Sequence, residues 1–388
     1  MAGELDKPVA ISHREPLAFF NHPEILNLQG QLFGQSYRPE WVSDRVQEVK
    51  ETLKTSIYDF LSRFEIDLLI PQNALAIPMH VPLGLAITEV IAETGIPTIA
   101  HHHDFAWERE RFAVTSAADY LAVAFPPILP GLQHVVINSM QQSELTRRYQ
   151  QASTVIPNVL DFDTAPPGID DFSSDFRAQI GVAQDDILVL QPTRLVARKG
   201  IEHTIELLRR LNIPGLKLVL SHPPGDEGVG YWTFLQEQIA EAGVACIPIW
   251  DRIAEVRSVD LQGRKTFTLA DVYLHADLVT YPSLYEGFGN AFLEAVYFGK
   301  PVVVNTYPVF ARDIEPLGFQ TVSMSGRVTD AVVEQTRDIL TRPELRQSWA
   351  TTSFALGQKH FSYQVLRQRL SGCLTALGAE SLRHGLRL

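Results

Sequence analysis

Apolar positions along this chain fall into two kinds of run. From Trp41 to Phe64 they recur every three to four residues, so that Val42, Val46, Val49, Leu53, Ile57, Phe60 and Leu61 share one face. That spacing predicts an amphipathic helix. The charges on its other face alternate in sign, which suits a solvated face rather than a membrane-seeking one. Short apolar runs follow at Ile66 to Ile70, Pro97 to His101 and Val135 to Asn138, with helical segments between them, notably Pro82 to Glu93. Strands alternating with helices predict a parallel sheet covered on both faces. Ligands of such sheets gather at the C-terminal ends of the strands. Ahead of all this, Pro8, Pro16, Pro23 and Pro39 predict no long element in residues 1–40.

A second set of runs begins after Thr164-Ala-Pro-Pro-Gly-Ile-Asp-Asp171, which has linker composition. Strands are expected at Ile187 to Leu190, Leu216 to Leu220 and Val244 to Ile249, and helices from Ile201 and over Leu269 to Leu274. The apolar run Asp277 to Thr280 then leads into a turn with Gly287 and Gly289 and about eight residues of helical character. Gly299-Lys300-Pro301 stops that helix, and Pro301 to Val304 is a further strand. Helices close the chain over Arg327 to Leu340 and from Pro343 onward. The expected domains are 1–160, 161–345 and a C-terminal helical segment 346–388 returning towards the first.

Composition narrows the function. At 388 residues with 45% hydrophobic and 20% charged residues, the chain suits two soluble globular domains. A formal charge of −12 argues against nucleic acid, whose phosphates demand basic surfaces. Cys246 and Cys373 provide neither a disulfide framework nor a metal-ligand spacing. No run reaches membrane-spanning length and no signal peptide is evident, so a cytoplasmic protein without a transmembrane segment is expected.

Chemistry concentrates in a few places. Glu294 is the only charge between Ala291 and Phe298, in a helix apolar all round, so its carboxylate must be buried and hydrogen-bonded. Glu286 stands just before Gly287, where converging backbone N–H groups favour an anion; a carboxylate there suits hydroxyl recognition. Arg194 and Lys199 flank a loop that enters a helix and can clamp a diphosphate, the arginine as a planar fork and the lysine as a point charge. His101, His102 and His103 follow one another at a strand end. Neighbours on a strand point to opposite faces, so only His101 and His103 could share an ion.

The two glutamates, framed as Glu286-Gly-Phe-Gly-Asn290 and Glu294, resemble the signature of the retaining glycosyltransferases of family 4. Thr154 to Asp161 and the Arg194–Lys199 segment also resemble that family. The resemblance implies the α/β GT-B fold, two Rossmann-like doubly wound parallel-sheet domains facing a cleft. It further implies sugar transfer from a nucleotide-diphosphate sugar, GDP-mannose or UDP-glucose, to a sugar or polyol hydroxyl, with retention and without a metal or bound cofactor.

By the same resemblance Glu286 contacts the donor sugar with the turn Gly287, Phe288, Gly289 and Asn290, and Glu294 binds the ribose. Arg194 and Lys199 hold the phosphates, with Arg198 between them. His103, with His102 as runner-up, approaches the reacting end of the sugar. The charge-balanced helix from Trp41 to Phe64 favours a soluble acceptor over a lipid.

Two departures stand out. Ser221-His-Pro-Pro-Gly225 replaces a common Gly-x-Gly-Pro turn and reads as turn chemistry. The opening residues, from Met1-Ala-Gly-Glu-Leu5, show no strand and Gly-rich turn, so an N-terminally shortened first domain is expected. The alternatives are then a non-catalytic nucleotide-sugar-binding relative or a GT-B-fold epimerase or phosphorylase.

Overall fold

A computed structural model describes residues 8–224 and 229–378; Met1–Leu5 and Gly225 of the segments above lie outside them. The chain divides into two compact units, the first formed by Met1–Ile156 and Arg367–Leu388, the second by Pro157–Leu366.

In the first unit, helices α1 (Pro23–Leu32), α2 (Glu40–Arg63) and α3 (Val81–Thr94) precede strand β1 (Thr98–His102). Then come α4 (Ala118–Ala124), β2 (Leu132–Val136), α5 (Ser139–Tyr149) and β3 (Ser153–Val155). The strands form a parallel sheet in the order β1-β2-β3. Helix α1 interrupts the stretch expected to hold no long element. Its proline is the first helical residue, where the missing N–H is not needed, and the His22 ring accepts from Glu24 N–H.

The predicted face of α2 is buried at Val42, Val46, Val49 and Leu53. Beyond it Ile57, Phe60 and Leu61 are only partly covered. The alternating charges are not all solvated. Lys50, buried, donates to Glu89 of α3 at 2.6 Å, and Lys54 donates to the same carboxylate at 3.1 Å.

The strand expected over Ile66 to Ile70 does not form as a continuous element. Only Leu69 and Gln72 make isolated parallel bridges, to Thr98 and His101. The reason is Pro71. The ladder runs Leu69 N–H to Pro97 O at 3.0 Å, Ile99 N–H to Leu69 O at 2.9 Å and His101 N–H to Pro71 O at 3.1 Å. Proline supplies no return donor to Ile99 O, so one rung is missing before Asn73 N–H resumes the ladder to His101 O at 2.7 Å.

The second unit begins with the short α6 (Phe176–Gln179), then β4 (Ile187–Gln191), α7 (Ile201–Leu211), β5 (Leu216–Leu220), α8 (Val229–Ala242) and β6 (Ala245–Pro248). A small hairpin, β7 (Ser258–Val259) with β8 (Lys265–Thr266), precedes α9 (Leu269–His275), β9 (Leu278–Tyr281), α10 (Asn290–Tyr297), β10 (Val302–Asn305) and β11 (Val322–Met324). Helices α11 (Asp330–Thr341), α12 (Pro343–Phe361) and α13 (Tyr363–Ala376) complete the described chain. Six parallel strands take the order β11-β10-β9-β4-β5-β6.

From β4 the chain builds outward to β6, then returns to β9 on the other side of β4. The order therefore reverses between β4 and β9, the place where doubly wound sheets bind ligands. The central strands are apolar without alternation, as burial on both faces requires: Leu188, Val189, Leu190, Leu278 and Val279 are all fully buried. Residues through Leu366 belong to the second unit, where Leu160 bridges Ser362, and the first unit resumes at Arg367.

The histidines of β1 and β2 give the first unit a pH-dependent stability. Burial holds His101 and His134 down to about 4, and drives His102, enclosed and 2.9 Å from the His134 ring, well below its ordinary value. An unfolded histidine takes a proton near pH 6.5, so on acidification the unfolded state binds protons that the folded state refuses. Stability is therefore complete above that value and falls as the pH drops towards 4. About 2 kcal/mol for each of His101 and His134 should be lost between pH 7 and pH 5. Calorimetric melts across this range should show the decline, and His134→Gln should make it shallower.

Candidate active site

The site grows from the loops that leave β4 and β9. After β4, Pro192 to Val196 leads into a single 3-10 turn, Ala197–Lys199, and Gly200 opens α7 with φ +60°. A Cβ at Gly200 would lie 2.6 Å from the carbonyl oxygen of Pro282, so only glycine permits this approach. The second loop answers with Leu284 N–H donating to Arg198 O at 2.8 Å. The two loops are thus joined backbone to backbone.

This junction brings Lys199 to Glu286. The ammonium donates to the carboxylate, and both residues are buried. Arg198 adds hydrogen bonds to Glu286 at 3.3 Å and to Tyr285 O at 3.2 Å. Burial alone would raise Glu286, but the charge and hydrogen bond of Lys199, with Arg198 behind them, outweigh it and keep the carboxylate below its ordinary range. Burial dominates at Lys199 and pulls it down, with the charge and hydrogen bond of Glu286 opposing. The pair is an ionised carboxylate held by two cations. Arg194, by contrast, is exposed, and its side chain makes no hydrogen bond or ion pair among the described residues.

Past Glu286 the turn continues through Gly287 and Phe288 to Gly289, which caps α10 with φ +131°. Phe288 O accepts from the buried Tyr307 hydroxyl at 2.6 Å. Asn290, the first residue of α10, accepts from Asn158 Nδ2 at 2.6 Å. One turn further, Glu294 is half-buried and its Oε2 accepts from Tyr273 OH at 2.9 Å. The partner demanded of a carboxylate in an apolar helix is therefore a tyrosine from α9. Burial raises Glu294 above its ordinary value, and the Tyr273 hydrogen bond opposes this only in part.

A cleft of about 390 Å³ opens over these groups, lined by Arg194, Lys199, Glu286, Asn290 and Glu294, and also by His222. Phe288 and Gly289 line it as well, while Gly287 stands in the turn behind them. Its entire lining belongs to the second unit. Asn158 was not foreseen as a lining residue, and His222, read as turn chemistry, lines the cleft. The signal for Asn158 was its Pro-Asn setting at the domain boundary; for His222 it was a histidine replacing glycine in the turn after β5.

His103 lies in the first unit, half-buried, at the end of β1. Asn73 Oδ1 accepts from the N–H groups of His103 and Asp104 at 2.8 and 3.0 Å, fixing the turn. As strand alternation requires, His101 and His103 share one side, their rings 4.5 Å apart. Both donate to Gln72 Oε1, His101 Nδ1 at 2.8 Å and His103 Nε2 at 3.2 Å. The runner-up, His102, points to the opposite side and is fully buried against Phe105 and His134. It has no route to a ligand, which leaves His103 as the accessible member. Among the described residues no group of three or more His, Cys, Asp or Glu is arranged to hold a metal ion.

Known proteins resemble this chain in sequence and in fold. The sequence profile described as Glycosyl transferases group 1 matches residues 254–354, a span that includes both glutamates. Mannosylglucosylglycerate synthase from Petrotoga mobilis is 33% identical over 310 residues, covering 74% of this chain and 71% of the relative. The protein of the same name from Thermotoga maritima is 30% identical over 366 residues, covering 86% and 80%. In three dimensions the chain is similar to Anabaena HepE in complex with UDP and glucose, with TM-score 0.60 and 19% identity over 85% of this chain and 81% of that one. It is similar also to sucrose-phosphate synthase from Thermosynechococcus elongatus, with TM-score 0.59 and 18% identity over 88% and 81%. These structures speak for the fold, and the two synthases for the family. With a reversal point furnished by paired cations and carboxylates, and with relatives of this identity and coverage, the chain belongs to the group 1 glycosyltransferases of the GT-B fold.

Proposed function

We propose that the protein transfers a hexosyl group from a nucleoside-diphosphate sugar to a hydroxyl of a small soluble glycoside, with retention at the anomeric carbon and with protein cations in place of a metal. The observation that carries this is the cation-held Glu286 beside the unpaired Arg194 in one cleft at the sheet reversal. The donor's diphosphate lies against Arg194 and Lys199, the ribose hydroxyls against Glu294, and the sugar hydroxyls against Glu286. A mannosyl donor such as GDP-mannose is favoured over UDP-glucose by the two relatives named mannosylglucosylglycerate synthase. Their name also favours an acceptor bearing a carboxylate, of the glucosylglycerate kind.

The bond from C1 to the β-phosphate oxygen breaks, its electron pair stays on the phosphate, and the acceptor oxygen bonds to C1 from the same face. The acceptor's proton passes to the departing phosphate. Negative charge grows on the diphosphate, so fixed cations stabilise the transition state more than the ground state. Glu286 is committed to Lys199 and Arg198, which leaves it to orient the sugar rather than to attack C1. His103 is the first-unit candidate for the reacting end of the sugar.

The test is to incubate the full chain with glucosylglycerate and either GDP-mannose or UDP-glucose, and to determine the product anomer by NMR. Transfer from at least one donor with retained configuration is expected; consumption of neither donor, or an inverted product, would refute the proposal. Arg194→Ala should weaken nucleoside-diphosphate binding by about 10- to 100-fold, the worth of a charge-assisted contact. Because this side chain supports nothing in the fold, the melting temperature should not move. Calorimetric binding of GDP and UDP to the variant checks both points.

A further inference from the structure

We infer that His222 is a third phosphate-binding group of this cleft, one that takes up a proton when the nucleoside diphosphate binds. The inference rests on the reading of the cleft as the donor site. It begins with the turn Ser221-His222-Pro223-Pro224 after β5, the strand beside β4, whose C-terminal end opens to the same cleft. A glycine turn could meet phosphates only through backbone N–H groups. Two prolines have none to offer, and the only side chain of this turn that lines the cleft is the His222 imidazole.

The contacts around the ring favour one tautomer. Ser221 is buried, and its hydroxyl reaches the carbonyl oxygen of Gln191 at 3.5 Å, a contact in which it can only donate. With the hydrogen on His222 Nδ1, 2.9 Å away, both contacts of the hydroxyl are satisfied at once, the arrangement that wastes no donor. A neutral ring therefore keeps its lone pair on Nε2. A lone pair repels a phosphate oxygen, whereas a protonated Nε2 donates to it.

The free protein holds the ring neutral. Burial first, then the positive charges of Arg194 and Lys199, lower His222 below its ordinary value. The carboxylates of the cleft do not offset this: Glu286 is engaged by Lys199 and Arg198, and Glu294 is raised by its own burial and bonded to Tyr273. A bound diphosphate opposes both effects with negative charge. It neutralises the two cations and supplies acceptor oxygens, so the imidazolium becomes the favoured form and a proton enters from solvent. By linkage, nucleotide affinity then falls as pH rises through the range in which the free ring is neutral.

The experiment is titration calorimetry of GDP and of UDP into the full chain, in buffers of different ionisation enthalpy. It compares the wild type with His222→Asn, whose fold is checked by its melt. At pH 7.5 the wild type should take up more protons per nucleotide bound than the variant. Between pH 6.5 and pH 8.0 its affinity should fall about 3- to 10-fold more steeply. Equal proton counts and parallel pH profiles would overturn the role of His222 and leave the donor site standing. If neither nucleotide binds the folded wild type, the donor-site reading fails and this inference with it.

Discussion

Lys199→Ala should cost kcat/KM about a thousandfold or more, and should also lower the stability of the second unit by about 3 to 5 kcal/mol. Two effects coincide because the ammonium serves two charges. Without it, Glu286 stays buried with Arg198, at 3.3 Å, as its remaining cation. On the proposed function, the departing diphosphate loses its least mobile cation at the same time. The double variant Lys199→Ala with Glu286→Gln separates the two. Removing the unpaired charge should restore much of the melting temperature, while turnover stays absent. Recovery of turnover in the double variant would show that Lys199 is needed only for folding. Lys199→Arg should not rescue, since a planar guanidinium does not fit a buried site shaped for a point charge.

Gly289→Ala should be nearly as severe. At φ +131° an L side chain is strained, and its Cβ would stand 2.3 Å from the Tyr307 hydroxyl. Tyr307 is only 1% exposed and its hydroxyl holds Phe288 O, so the ring has nowhere to move. The expected cost is about 3 kcal/mol, from backbone strain and overpacking together. Activity should fall further than stability predicts, because α10 begins here and carries Asn290 and Glu294 with it. Gly372→Ala is the control. That helical position meets nothing within 4 Å and should gain up to about 1 kcal/mol. Melts of the two variants side by side, with steady-state assays, decide the matter; a neutral Gly289→Ala would contradict the geometry.

Much of the second unit was legible because its signals are local. Continuous apolar runs mark buried parallel strands, and Gly-Lys-Pro after α10 marks a helix end. The two glutamates were legible for a related reason, since each breaks an apolar or glycine-rich context that would otherwise exclude charge. What the sequence hid was pairing between distant segments. Nothing near Glu294 names Tyr273 as its partner, and nothing near Lys199 shows that Glu286 holds it. The segment from Ile66 to Ile70 misled because composition registers the apolar run, whereas the ladder depends on one missing N–H at Pro71. Pro23 misled in the other direction: a residue read as a breaker is also the preferred first residue of a helix. His102 and His103 could be assigned to opposite faces from alternation, but not to inside and outside, since that needs His134 and Phe105 in place.

The close approach of Gly200 to Pro282 has a consequence for recombination among these enzymes. Each of the two loops is shaped by the backbone of the other, so neither is a separable module. A chimera that imports residues 192–200 from a relative, while keeping the local 282–290 stretch, inherits half of a matched surface. Exchange of donor preference by segment swapping should therefore succeed only when both stretches travel together, although some eighty residues of chain lie between them.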